Sequence, residues 1–306
     1  MKKFIPLLGI ALLAFSCNPE ESNNNDPEEN YTDLSPREYY TTSPKLSIET
    51  TYDKSGYHAK DIMTYNSDDL RIKEEYYSND VLTGYSEISY GNRSCEYKYY
   101  NAQQELHDIS RIQYLDDART QECMLDYLNP AGDYISRKET IWENGRPVKW
   151  NEYKPKSGNP KELYIFCIWI FTYTDTDYTT TRHHTWKSYY EDGTPTGTGT
   201  TEAGNDDIWT YQDKEKTLIL KEEFRDCYTN KITSRKEYTY NKDNLLTGFA
   251  EYGIEEFEGP MLKSLDATYT YSGNTIRTKY NLYKGGVLDD TAETLETLKG
   301  NIQYNF

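Results

Sequence analysis

The sequence predicts an all-β protein: a long antiparallel meander of repeated β-hairpins, with a twisted or curled sheet and little or no helix. Three observations carry that expectation. The first is the supply of rings. Among 306 residues there are 32 Tyr and 5 Trp, and aromatic side chains bury large areas and suit strands. Leu, Ile, Val and Phe make up only about a sixth of the chain, and with a net charge of −17 that composition reads as disorder unless tyrosine stands in for the missing aliphatics. The second is a repeated phrase: TYNKDNLLTGFAEY at 239–252 begins like TYNSDDLRIKEEYY at 64–77 and ends like YSNDVLTGYSEISY at 77–90. The third is alternation. Tyr97 and Tyr99, Tyr238 and Tyr240, and Tyr269 and Tyr271 are each two apart, which puts each pair on one face of a strand.

The N-terminus, MKKFIPLLGIALLAFSCNPEES, has two lysines, an apolar run too short to span a bilayer, and a small residue before Cys17. It resembles a bacterial lipoprotein signal over 1–16, with Ala14 where the strict motif has Leu. The resemblance implies that Cys17 becomes the acylated mature N-terminus, and more than one acyl chain gives durable anchoring. Behind Cys17, the segment 17–44 continues as NPEESNNNDPEEN and has nothing to bury, which predicts an acidic disordered tether. Acids directly behind the cysteine resemble the export signal of lipoproteins displayed outside the outer membrane. A lipid-anchored outer-membrane protein at the cell surface is therefore expected.

The body, residues 45–306, is a tyrosine-rich β-repeat domain with a candidate subdivision near 154–160, in YKPKSGNP. Its turns are YDKSG at 52–56, YNSDDL at 65–70, YLNPAGD at 127–133, WENGRP at 142–147, YEDGTP at 190–195 and YNKDNL at 240–245. Asn, Asp and Gly tolerate the left-handed backbone of tight hairpins. Over about 45–290 the phrase resembles the YD repeats of Rhs and teneurin shells. Only YDKSG keeps the Tyr-Asp and only NGRP keeps the Gly-Arg of that family's fuller motif. The resemblance implies hairpin architecture and a scaffold role. YIFCIWIFTY at 164–173 is apolar on both faces, which predicts a central strand covered on both sides. GTPTGTGTTEAGNDD at 193–207 reads as a mobile loop. DDTAETLETLKG at 289–300 fits a short helix or an alternating strand.

Chemistry is sparse. Beyond Cys17 there are Cys95, Cys123, Cys167 and Cys227, without metal-binding spacing; Cys95 and Cys123 lie in nearby phrases and are the first candidate disulfide, with free thiols as the alternative. TDTDYTTTRHHTW at 174–186 gathers the acids and imidazoles, but neighbouring strand residues His183 and His184 face opposite ways, so no metal centre is expected. No cofactor motif, nucleophile elbow or phosphate loop is present, and the 51 acids make carboxylate pairs uninformative. No catalytic residue is assigned. The acidity disfavours nucleic acid, whose binding needs cationic contacts. The leading expectation is a lipid-anchored scaffold that binds or displays, with exposed Trp142, Trp150, Trp186 and Trp209 as candidate stacking surfaces for glycans. An envelope scaffold that pairs with proteins through open sheet edges, and a carbohydrate-active hydrolase, are the alternatives.

Overall fold

The structure, a computed structural model, describes residues 44–200, 204–254 and 259–300. The signal segment, Cys17 and the tether up to residue 43 lie outside the described residues.

Nineteen strands account for the described secondary structure. The first part of the chain forms β1 (Lys45–Tyr52), β2 (His58–Tyr65), β3 (Arg71–Ser78), β4 (Val81–Gly91), β5 (Ser94–Asn101) and β6 (Leu106–Tyr114). There follow β7 (Glu122–Leu128), β8 (Tyr134–Glu143), β9 (Arg146–Lys156), β10 (Asn159–Asp175), β11 (Thr179–Tyr189), β12 (Pro195–Thr200) and β13 (Asn205–Tyr211). The last six are β14 (Ile219–Asp226), β15 (Lys231–Tyr240), β16 (Leu246–Ile254), β17 (Met261–Ser272), β18 (Thr275–Lys284) and β19 (Val287–Leu298).

Successive strands pair antiparallel as far as β11, which then branches. Its Thr179–His184 stretch takes β13, while Lys187 and Tyr189 take β12. The meander resumes from β13 to β19, and β19 pairs with β1. The sheet thus closes on itself as a barrel. A ring of purely antiparallel strands closes only with an even number, which is what setting β12 aside leaves. The open edges expected of a meander are consequently taken up, because β1 hydrogen-bonds on both sides.

The repeated phrase is a bulged hairpin. Asn66 Oδ1 accepts from the N–H groups of Asp68 and Leu70, and Asn241 Oδ1 does the same for Asp243 and Leu245. Beside these turns the register slips, between Thr64 and Tyr65 and between Thr239 and Tyr240. The ring before the turn reaches back to the preceding strand: Tyr65 donates to the Lys45 carbonyl at 2.7 Å and Tyr240 to the Ile219 carbonyl at 2.8 Å. Tyr90 and Tyr271 repeat the contact on Arg71 and Leu246. Each bulge adds local twist, and twist repeated at hairpin after hairpin supplies the curl that closure needs.

Register carried round the ring assigns every strand residue to one of two faces. Ser86, Thr278, Thr294, Glu296 and Ile276 share the inner face, and each is 0% exposed. The tyrosine pairs named above lie there too, with Tyr97 opposite Ile88, Tyr238 opposite Phe249 and Tyr269 opposite Thr278. Space is tight enough that a Cβ on Gly84 would come within 2.6 Å of both the Tyr100 carbonyl and the Tyr99 hydroxyl. The outer face carries Thr, Lys, Arg, Glu and Asp in ion pairs, including Glu49–Lys60, Glu96–Arg111 and Arg277–Glu293, beside scattered apolar residues such as Ile170 and the stacked Tyr85 and Tyr100.

Several expectations are corrected. β10 is covered on its inner side, where Cys167 and Phe171 are buried, but its outer Ile165 and Ile170 are 39% and 51% exposed; a barrel wall has only one covered face. Of the expected loop at 193–207, residues 195–200 form β12 and 205–207 open β13, while 201–203 lie outside the described residues. Residues 289–298 continue β19 and form no helix, since pairing with both β18 and β1 favours the alternating pattern. Cys95 and Cys123 are both free. They belong to β5 and β7 with β6 between, about 10 Å of sheet, which is beyond the reach of a disulfide.

Candidate functional site

The wall formed by β9, β10, β11, β13 and β14 keeps the bulged hairpins but departs from the repeated phrase in the residues between the turns, and here the two faces carry different chemistry. On the inner face the paired registers line up Trp150, Trp169 and Trp186 across three strands, with Phe171 beside His184. Trp169 stacks on Trp186 with ring centroids 5.1 Å apart, and Trp150 meets Phe171 edge-on at 4.6 Å. His184 is buried among Trp169, Phe171 and Phe224.

Arg182 is the cation of this inner wall. Its guanidinium lies 5.1 Å from the Phe171 ring, 5.3 Å from Trp209 and 5.9 Å from Trp150. It donates from Nε to Asp207 Oδ2 at 2.9 Å and holds the same oxygen with Nη2 at 2.8 Å. His184 Nδ1 stands 3.3 Å from that oxygen. Burial opposes the charge on Asp207, but contact with His184 and Arg182 outweighs it and keeps the carboxyl below its ordinary range. The cluster thus offers flat apolar rings around a fixed charge pair, a surface suited to stacking and hydrogen bonding.

The four candidate tryptophans are therefore reassigned. Trp150, Trp186 and Trp209 converge on the inner wall, and Trp142 lies apart on β8, where Nε1 donates to the Glu122 carbonyl at 2.7 Å. All four are half-buried, so none forms an exposed outer platform. Sequence reasoning missed Trp169, Arg182 and Asp207 as their neighbours; the signal that finds them is period-two alternation once the register is known.

On the outer face of the same strands His183 pairs with Asp206, and Asp206 with Arg225. His183 Nδ1 is 2.7 Å from Asp206 Oδ1, while Arg225 donates from Nε to Oδ2 at 3.0 Å and also from Nη2. Cys227, just past β14, brings its sulfur into the same group, with all three ligand atoms within 4.8 Å of one another. Burial, reinforced by the Asp206 carboxylate, pushes the Cys227 thiol up. The two histidines do face opposite ways, as strand geometry requires. Reasoning from the local run left out Asp206 and Cys227, which only pairing across strands brings alongside.

Two other places hold notable groups. On the inner wall Asp61 is raised to about 7 by burial and by the nearby Glu74, against the lowering effect of Arg71. On the outer wall a groove of about 620 Å³ follows the closing seam of β18, β19, β1 and β2, and its Arg277 and Glu293 already neutralise each other.

No family model matches the chain, and no curated protein matches it. Among solved structures it is similar to a porin-like protein from Bacteroides uniformis, at 10% identity over 84% of this chain and 97% of that one, with a TM-score of 0.38. A porin-like protein from Bacteroides vulgatus gives 9% identity, 86% and 99% coverage and a TM-score of 0.32. A Photorhabdus luminescens Tc holotoxin pore gives 9% identity, 74% and 14% coverage and a TM-score of 0.26. At these scores the likenesses carry no functional argument.

Proposed function

We propose that this chain is a lipid-anchored β-barrel scaffold of the bacterial outer membrane, displayed at the cell surface, in which Cys17 holds the membrane and the barrel stands in water as a binding module. The observation that carries the reading is the outer wall. Ion pairs lie on it, across strands as in Lys60–Glu49 and along one strand as in Lys221–Glu223 and Arg235–Glu237. A membrane-spanning barrel turns an apolar band outward, and a lipid-facing Arg or Lys near the bilayer centre costs about 2–4 kcal/mol. A wall of ions is suited to water, so attachment falls to the lipid implied by the N-terminal signal.

The ligand class proposed for the module is a glycan, on the ring-lined inner wall at Trp150, Trp186 and Trp209. Flat rings beside the fixed Arg182–Asp207 pair match the alternating apolar and hydroxyl faces of a sugar. The interaction-scaffold alternative loses its basis in free edges once β1 and β19 pair, and the reading includes no catalytic step.

Cys17→Ser tests the anchor. The variant should appear folded in the soluble fraction and lose acyl-chain labelling, whereas a Cys17→Ser protein that stays in the membrane as an integral barrel contradicts the reading. Glycan-array binding by the full chain tests the ligand class. Binding unchanged in the Trp150→Ala, Trp186→Ala, Trp209→Ala triple variant removes the inner wall from it.

A further inference from the structure

We propose that His183, Asp206 and Cys227 form a zinc(II) site on the outer wall, where the ion clips together the strands at the branch of the barrel. The three residues come from β11, β13 and the end of β14. They meet beside the point where β11 gives up one neighbour, β12, for another, β13. This is the place where the regular meander is interrupted and the hydrogen-bond ladder alone does least to hold the wall.

Ligand type and geometry point to zinc. An imidazole nitrogen, a carboxylate oxygen and a thiolate sulfur are the donors zinc takes, with bonds of about 2.0–2.3 Å. Their atoms already lie within 4.8 Å of one another. Two bonds of about 2.0 Å at a tetrahedral angle need their donors about 3.3 Å apart, so His183 Nδ1 and Asp206 Oδ1 must open from their present 2.7 Å. The His183 side chain is 38% exposed, which leaves the fourth position to water.

The surroundings orient these donors. Arg225 occupies Oδ2 of Asp206 and leaves Oδ1 for the ion, as outer-shell partners of metal-bound carboxylates do. Gly204, at φ +66°, lies flat against the imidazole; a Cβ there would stand 2.8 Å from His183 Cε1 and 3.0 Å from Nε2. A side chain there would also run into the His184 carbonyl oxygen, so the glycine leaves the ring room to keep Nδ1 toward the cluster. With Asp206 and a Cys227 thiolate negative and Arg225 positive, the site presents one net negative charge to a dication. On binding, the Cys227 proton passes to bulk water and the His183 proton sits on Nε2, freeing the Nδ1 lone pair.

The test is metal uptake by the full-length protein in detergent after chelator treatment. Wild type is expected to take up a single zinc per chain, and cobalt(II) in its place to give a near-ultraviolet thiolate charge-transfer band. Cys227→Ser and His183→Ala should each weaken uptake by more than about tenfold, Cys227→Ser should abolish the band, and Cys123→Ser should change neither. Cobalt binding without the band, a band that survives Cys227→Ser, or wild-type uptake no greater than in the variants overturns the proposal. Should the variants fail to fold, the zinc K-edge spectrum of wild type decides. A shell with one sulfur and an imidazole supports the site, and an all-oxygen shell refutes it.

Discussion

The closing seam, β15–β19 with β1, and the wall of β9–β14 are built from the same hairpin phrase and do different things. The seam is filled with tyrosine and small or aliphatic residues: Ala267, Tyr269, Ile276, Tyr280, Ala292 and Leu298 form one buried cluster. An inner ion pair there, Lys45–Glu296, is sealed, with Glu296 at 0% exposure. The other wall replaces these with tryptophans, His184 and the Arg182–Asp207 pair. The turns and bulges are common to both regions, so the phrase specifies backbone and curvature. What stands at the inner positions between turns decides whether a region closes the barrel or carries chemistry.

The largest expected effect that separates the two regions is at the seam. Lys45→Ala removes the cation 2.9 Å from the buried Glu296 carboxylate and should destabilise the fold by about 4 kcal/mol, while Lys45→Met with Glu296→Leu should recover most of the loss; urea denaturation measures both. Ile276→Ala, which opens a cavity at a fully buried site, should cost about 3 kcal/mol. On the other wall Arg182→Lys keeps the charge but loses the planar fork, and should cost only about 1–2 kcal/mol while weakening any glycan binding. If Arg182→Lys destabilises the fold as strongly as Lys45→Ala, the division between closing and functional regions fails.

Asp61 sharpens the comparison through pH. Its folded value, about 7, lies above the ordinary aspartate value of 3.8. An unfolded chain releases this proton near pH 4 while the folded chain keeps it to about pH 7, so stability falls as pH rises through that window and then levels off. Asp61→Asn should flatten the slope and be more stable at pH 8 by on the order of 2–3 kcal/mol. The smallest effect is expected outside: Lys73→Ala breaks the half-exposed Lys73–Glu75 pair and should change stability by less than about 1 kcal/mol.

Much of the fold was legible in the sequence because it is local. Turn residues recur at fixed places, and rings two apart must share a face, so the strands, hairpins and tyrosine core follow from neighbours in the chain. Closure was not legible, because the contact that makes it joins residues some 240 positions apart, as in Thr50 with Thr294. Nor was the direction of each face. The isoleucines of β10 read as core on both sides, yet Ile170 meets water, and the tryptophans read as exposed, yet they turn inward. The His183–Asp206–Cys227 group stayed hidden for the same reason, since its members meet only through register across three strands.

The central claim is that a closed barrel turns charge outward to water and rings inward. Single cysteines placed along β18 at Arg277, Thr278, Lys279 and Tyr280 test it most directly, using a membrane-impermeant maleimide on the membrane-attached native protein. The account predicts labelling that alternates along the strand, fast for Arg277→Cys and Lys279→Cys and slow for Thr278→Cys and Tyr280→Cys until the protein is unfolded. Protection at all four positions, or fast labelling at Thr278→Cys and Tyr280→Cys instead, would contradict it.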